Sequence, residues 1–245
     1  MAINTFDVQL QWTKMITPSV MHLAFTRPDG ETLAYIPGQF ITFMFENDEG
    51  KLVRRSYSLA NIPGQTDELE IAVSPVEGGF ATDKFFNAQP GDVMPCSGPF
   101  GRLVLKDEDV SHIILVATGT GVSPYRSMLP SIAERLQQNS QLKFTVLLGV
   151  QYAADLLYAD DFIAFAEQHD RFEFRAYLSR EENLIAPHQF KGYVQSAYEG
   201  LNLDPDTDVF YLCGNPNMID DSFAMLQDMG FGSRSVRREK YISAK

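Results

Sequence analysis

The chain has 245 residues, 44% of them hydrophobic and 21% charged, which excludes general disorder and leaves room for one large domain or two of ordinary size. Lysine and arginine number 20 against 32 aspartates and glutamates, and the resulting formal charge of −12 repels nucleic acid and anionic lipid. No uncharged apolar run reaches the roughly 20 residues of a membrane-spanning helix, and the opening MAINTFDVQLQW lacks a secretory pattern, so a soluble cytoplasmic protein is expected.

In chain order, Val8 to Trp12, Met21 to Phe25, Phe40 to Phe45 and Leu69 to Val73 are short apolar or alternating runs. They are set apart by turn signals at Pro28-Asp29-Gly30, Pro37-Gly38, Asp48-Glu49-Gly50, Pro63-Gly64 and Pro90-Gly91. This spacing predicts a β-barrel or sandwich over residues 1–105. Within it, Arg54 to Leu59 reads as a further strand whose alternation places Arg55, Tyr57 and Leu59 on one face, with Ser56 and Ser58 on the other. Arginine grips phosphate with paired hydrogen bonds and tyrosine stacks on flat heterocycles, although an ordinary exposed strand has the same pattern. Glu77-Gly78-Gly79-Phe80-Ala81-Thr82 opens a short helix running to Asn87, where a glycine turn before a helix start forms either a phosphate cradle or a plain cap.

The rhythm changes after the polar stretch Lys106-Asp107-Glu108-Asp109, the expected boundary of a second domain over residues 106–245. Buried-looking strands at His112 to Ala117, Leu142 to Leu148 and Val209 to Leu212 alternate with helical stretches, the pattern of a parallel Rossmann-like sheet. Thr118-Gly119-Thr120-Gly121-Val122-Ser123-Pro124 follows the first of these strands. Such a turn lets backbone N–H groups approach a phosphate at the strand's carboxyl end, though Pro124 stands where the full dinucleotide fingerprint has its third glycine. Ser123 and Pro124 mark a helix start and Pro130 predicts a break in it; Asn215-Pro216 marks another start. Arg234, Arg237, Arg238, Lys240 and Lys245, against Glu239 alone, give the last thirteen residues a charge of +4, read as a solvated basic tail or a docking surface. Cys96 and Cys213 are too few for a disulfide scaffold or an iron–sulfur cluster, so redox work needs another cofactor. His22, His112, His169 and His188 lack metal-ligand spacing, and no metal is expected.

Taken in order, Pro37-Gly38-Gln39-Phe40, Arg55-Ser56-Tyr57-Ser58, Gly78-Gly79-Phe80-Ala81-Thr82, Gly98-Pro99-Phe100-Gly101, the Gly119 to Pro124 turn, Tyr152 to Leu156, Ser179-Arg180-Glu181, Cys213 to Met218 and Glu239-Lys240-Tyr241 resemble the compact bacterial ferredoxin-NADP reductases along nearly the whole chain. The resemblance implies a flavin-binding antiparallel β-barrel, FAD as cofactor, NADPH as hydride donor with NADH possible, and ferredoxin or flavodoxin as partner. It implies that Arg55, beside Ser56, holds the FAD pyrophosphate together with Gly79, the Phe80 and Ala81 backbone and the Thr82 hydroxyl. Tyr57 would stack on the flavin and Ser58 would hydrogen-bond near its N5. Gly119, Thr120 and Gly121 would receive the pyridine nucleotide, Cys213 would lie beside the nicotinamide, and Glu239 and Tyr241 would close over the active site. Ser179 and Arg180 would face a 2′-phosphate, with Lys191 nearby, but Gln151 and Tyr193 stand where close relatives carry basic residues, which thins that site. Two other functions fit the same motifs: an NADH-dependent reductase feeding an oxygenase or free flavin, and a flavin- and nucleotide-sensing regulatory subunit without turnover.

Overall fold

Short strands punctuated by glycine and proline build the first half of the chain: β1 (Thr5–Met15), β2 (Met21–Thr26), β3 (Phe40–Glu46), β4 (Leu52–Ser58), β5 (Leu69–Val73) and β6 (Val93–Phe100), with the helix α1 (Phe80–Asn87) between the last two. The computed structural model describes residues 5–47 and 49–242; Asp48 of the expected turn and Lys245 of the basic segment lie outside them. The six strands pair antiparallel in the order β4-β3-β6-β1-β2-β5, and the two edges meet where the Ala60 N–H donates to the Glu70 carbonyl at 2.8 Å, which closes a barrel. Val8, Leu10, Leu23, Phe25, Ile41 and Phe43 fill it and Phe85 of α1 plugs one end, its ring 4.9 Å from that of Phe43 and perpendicular to it. β6 escapes a reading by pattern because Pro95, Gly98 and Pro99 interrupt it, yet it pairs with both β1 and β3.

The second half comprises β7 (His112–Thr118), α2 (Ser123–Ser127), α3 (Leu129–Gln138), β8 (Lys143–Val150), α4 (Ala159–Gln168), β9 (Phe172–Leu178), β10 (Gln189–Lys191), β11 (Asp208–Gly214), α5 (Pro216–Asp228) and β12 (Val236–Lys240). The break expected at Pro130 falls at Met128, between α2 and α3, so that the proline occupies the first turn of the new helix, where its missing N–H is harmless. All strands are parallel, in the order β10-β9-β8-β7-β11-β12. Ile113, Leu115 and Ala117 face one covering layer and Ile114 and Val116 the other, which is why β7 reads as a continuous apolar run. From β7 the chain moves outward to β10 and returns to lay β11 on the opposite side of β7. The switch point, where ligands bind in such sheets, lies at the carboxyl ends of β7 and β11.

The solvated tail is not observed. Val236–Lys240 is an edge strand whose Arg237 is bonded to Glu108 and, at 2.6 Å, to the Tyr211 hydroxyl. Lys240 pairs with Asp220 at 2.6 Å, and the Arg238 guanidinium sits 3.7 Å above the Phe223 ring. Among the described residues, Arg237, Arg238 and Lys240 are thus each answered by an acid or a ring on another segment, while Arg234, Arg238 and Lys240 stay exposed at the surface. Barrel residues Val20, Ile62, Ala72 and Leu103 belong to the same apolar cluster as the α2/α3 face of the parallel sheet, so this cluster, distinct from the barrel's own interior, crosses the boundary between the lobes. Among the described residues, no helix is long and apolar enough to cross a membrane.

Candidate active site

A cavity of about 530 Å³ opens between β4, the exit of β5, the start of α1 and the end of β12. Its walls carry Arg54, Arg55, Ser56, Tyr57 and Ser58 from β4, and Gly79, Ala81 and Thr82 from the helix start. β4 alternates as expected as far as Tyr57: Arg55 and Tyr57 are half-buried, and Arg54 and Ser56 are exposed. The Tyr57 ring is braced from below by Phe43 and Phe85 at 6.0 and 5.1 Å, and burial pushes its hydroxyl up to about 12, so it is a neutral surface for stacking. No side chain caps the first turn of α1, so its leading N–H groups are open to an acceptor from outside the chain, as at anion-binding helix starts. Gly79 has an ordinary backbone angle, and its requirement is space: a Cβ there would lie 2.7 Å from Thr82 Oγ1 and 2.9 Å from Val76 Cβ, both on the cavity wall. Phe80 is not among the residues lining the cavity; its ring packs on the barrel core.

Two strands of one sheet and one of the other meet at the inner end of this cavity. The Tyr241 hydroxyl donates to Ser58 Oγ at 2.6 Å, a contact spanning 183 positions of the chain, and the Tyr241 N–H donates to the Gly214 carbonyl at 2.8 Å. Cys213 and Glu239 are neighbours across the β11–β12 register. Cys213 is fully buried and lines neither cavity, and burial, reinforced by Glu239, pushes its thiol well above the usual range, so it is a compact neutral group behind the site. Burial also raises Glu239, to about 7 against a partial offset from a hydrogen bond to Ser58, so this carboxyl exchanges its proton near neutrality.

A larger cleft of about 1210 Å³ adjoins it, bounded by the ends of β7, β8 and β11 and, from the barrel, by Thr17, Ser19 and Val20. Gly119 adopts φ +52 with open space where a Cβ would be, as a loop receiving a ligand requires. Gly121 is constrained from the opposite side, since a Cβ would collide with the Cys213 carbonyl and stand 2.8 Å from Gly214 Cα. The Thr118 hydroxyl accepts from the Asn215 N–H at 2.9 Å, and the Asn215 side chain caps α5, accepting from Asn217 N at 2.8 Å. Ser179 lines the cleft, as do Gln151, Lys191 and Tyr193; Arg180 is exposed and absent from its wall. Lys191 is the sole cation among the lining residues, which also include Asp155 and Asp221. Ser74, just beyond β5, lines both cavities, and nothing in its sequence surroundings singles it out.

A barrel whose cavity ends in an uncapped helix, a parallel sheet with a glycine loop at its switch point, and a seam shared by the two define an FAD- and NAD(P)-binding oxidoreductase. Residues 7–105 match the oxidoreductase FAD-binding domain profile and residues 115–223 the oxidoreductase NAD-binding domain profile. The chain belongs to the ferredoxin-NADP reductase family.

It is 29% identical to ferredoxin-NADP reductase B of Sorangium cellulosum over 241 residues, covering 96% of this chain and 94% of that protein. It is also 29% identical to the reductase component of phenol 2-monooxygenase from a Pseudomonas species, over 94% of this chain but 63% of the longer relative. A ferredoxin NADP+ reductase from Neisseria gonorrhoeae, solved with FAD and NADP bound, has the same fold: TM-score 0.82 at 23% identity, covering 98% of this chain and 99% of that one. Alanine at Gly79 is expected to crowd Thr82 and Val76 and to weaken FAD binding about tenfold, roughly 1.4 kcal/mol, as read by fluorescence titration of flavin-stripped protein; unchanged affinity would refute the close approach assigned to this turn.

Proposed function

We propose that this chain oxidises NADPH and delivers the electrons to ferredoxin or flavodoxin through FAD held by residues 1–105, with residues 106–245 holding the nucleotide. The observation that carries this reading is the convergence of Ser58, Cys213, Glu239 and Tyr241 on the seam between the two cavities. FAD, when bound, supplies an acceptor for hydride at one ring position and a donor of single electrons afterwards. Arg55, with Ser56 beside it and the N–H groups at Phe80 and Ala81, binds the pyrophosphate; Tyr57 supports the ring; Ser58 offers a hydroxyl to its edge. Gly119, Thr120 and Gly121 seat the second nucleotide, and Tyr241 shields the seam from water until that nucleotide displaces it. Glu239, able to hold or release a proton near pH 7 at its carboxyl oxygen, keeps the protonation of the seam adjustable.

A second reading, an NADH-dependent reductase serving an oxygenase, is favoured by the cleft's charge: Lys191 alone, beside Asp155 and Asp221, gives weak purchase on a 2′-phosphate. The absorbance spectrum tests both readings. The purified chain is expected to be yellow with FAD and to bleach on mixing with NADPH, more slowly with NADH; the reverse preference would select the second reading. Reoxidation by ferredoxin or flavodoxin, compared with free FMN, then identifies the acceptor class. A chain that takes up no FAD would refute both, and one that stays yellow with either nucleotide would refute turnover.

A further inference from the structure

Arg126 lies on α2, five positions beyond Gly121. α2 is fixed to its own sheet, because the neighbouring Tyr125 hydroxyl, fully buried, donates to the Tyr211 carbonyl at 2.7 Å and reaches the Val116 carbonyl at 3.2 Å. From this anchored helix the guanidinium crosses to the barrel. Its Nη1 donates to the Ala60 carbonyl at 2.7 Å and to Glu70 Oε2 at 2.9 Å, while its Nε donates to Asp161 Oδ2 on α4 at 2.6 Å. The Tyr158 ring lies against the guanidinium at 4.7 Å, and His22 Nε2 stands 3.1 Å from the same Glu70 oxygen.

The barrel atoms gripped in this way are close in sequence to the cavity walls. Ala60 is two residues past Ser58, and Glu70 precedes Ala72 and Ser74 on β5 and its exit, both of which line the flavin-side cavity. Glu70 is 8% exposed, and although burial works against its charge, His22 and Arg126 hold its carboxyl below the ordinary range. A planar fork satisfied on two lobes fixes a distance and an angle, which a flexible ammonium at the same place does not. None of these atoms lines either cavity.

We propose that Arg126 is a positioning residue for hydride transfer: by bridging Ala60 and Glu70 of the barrel to Asp161 and α2 of the nucleotide lobe, it sets how the two bound rings meet. The inference rests on the reading given under Proposed function. Hydride transfer is steep in separation, a misplacement of about 1 Å costing about a hundredfold, so a loosened bridge is expressed in the rate of the reacting complex more than in the binding of either cofactor.

The test is stopped-flow reduction of FAD-loaded protein at saturating NADPH and, separately, NADH, for the parent chain, Arg126→Gln and Arg126→Lys. Arg126→Gln is expected to keep its full FAD content and its reduction by dithionite, to slow flavin reduction at saturation by about tenfold or more, and to change the half-saturating nucleotide concentration much less. Arg126→Lys, which can satisfy some of the three oxygens, is expected to recover part of the rate. A parental rate in Arg126→Gln, or no recovery in Arg126→Lys, overturns the proposal. If Arg126→Gln fails to hold FAD, Arg126→Lys decides alone: slowed with full FAD supports positioning, while a parental rate or loss of FAD overturns it. A parent chain reduced by neither nucleotide removes the functional reading itself, an outcome distinct from parental rates in both variants.

Discussion

Replacing Gly121 by alanine is expected to abolish most nucleotide-driven reduction. The added carbon would collide with the Cys213 carbonyl and approach Cys213 C at 2.7 Å and Gly214 Cα at 2.8 Å. These are backbone atoms at the end of β11, and Gly214 is itself pinned at φ +122 against Thr118, so neither loop can retreat without moving the switch point. Overpacking of this kind costs about 1–3 kcal/mol of stability, and a displacement of the loop by about 1 Å costs about a hundredfold in the rate of reduction. Thermal unfolding and stopped-flow reduction measure the two effects; Gly121 lines neither cavity and its neighbour Thr120 lines the barrel-side one, so FAD content is measured as a third readout. Parental reduction kinetics in Gly121→Ala would show that the tight crossing of the β7 and β11 loops has no bearing on nucleotide placement.

Glu239→Gln is expected to change the pH dependence of both stability and turnover. Burial raises the folded-state value to about 7 from an ordinary 4.5. Between those values the folded chain keeps a proton that the unfolded chain has released, so the Glu239 contribution to stability falls as pH rises through this window and is constant outside it. The full effect is at most about 3 kcal/mol, since one unit corresponds to about 1.36 kcal/mol. Glutamine mimics the protonated form at every pH. Denaturant unfolding of flavin-stripped protein should therefore show the variant gaining on the parent from pH 5 to pH 8 and matching it near pH 4. The same carboxyl predicts an inflection near pH 7 in the parental rate of flavin reduction, absent from the variant. Parallel stability curves for the two proteins over this range would rule out a buried, proton-holding Glu239.

The elements legible in the sequence are those whose periodicity is set locally. β5 lies at Leu69–Val73, where an apolar run interrupted only by Glu70 predicts it, and α5 begins where Asn215-Pro216 marks a cap. β12 reads in sequence as a solvated basic tail or a docking surface because arginine, glutamate and lysine stand at its successive positions, and the partners Glu108 and Asp220 are far away or on another element. Within the candidate site, strand alternation pairs Arg55 with Tyr57 but assigns Ser58 to the other face, although all three line one cavity; the meeting of Ser58 with Tyr241 is a matter of topology that no local spacing contains. Cys213 and Glu239 entered through resemblance alone; by composition they are a core cysteine and one acid among bases. Arg126 sits in a stretch whose apolar spacing announces a helix and nothing more, because its partners Ala60, Glu70 and Asp161 lie on three other segments.

Placing Glu239 and Tyr241 on β12 and just beyond it has a consequence for biosynthesis. Every other strand of both sheets is translated earlier, so the barrel and most of the parallel sheet have their pairing partners before β12 leaves the ribosome. A chain that ends before β12 lacks the carboxyl and the phenol that finish the seam, and with them the wall that Glu239, Lys240, Tyr241 and Ile242 supply to the barrel-side cavity, which is therefore complete only once the last strand has paired.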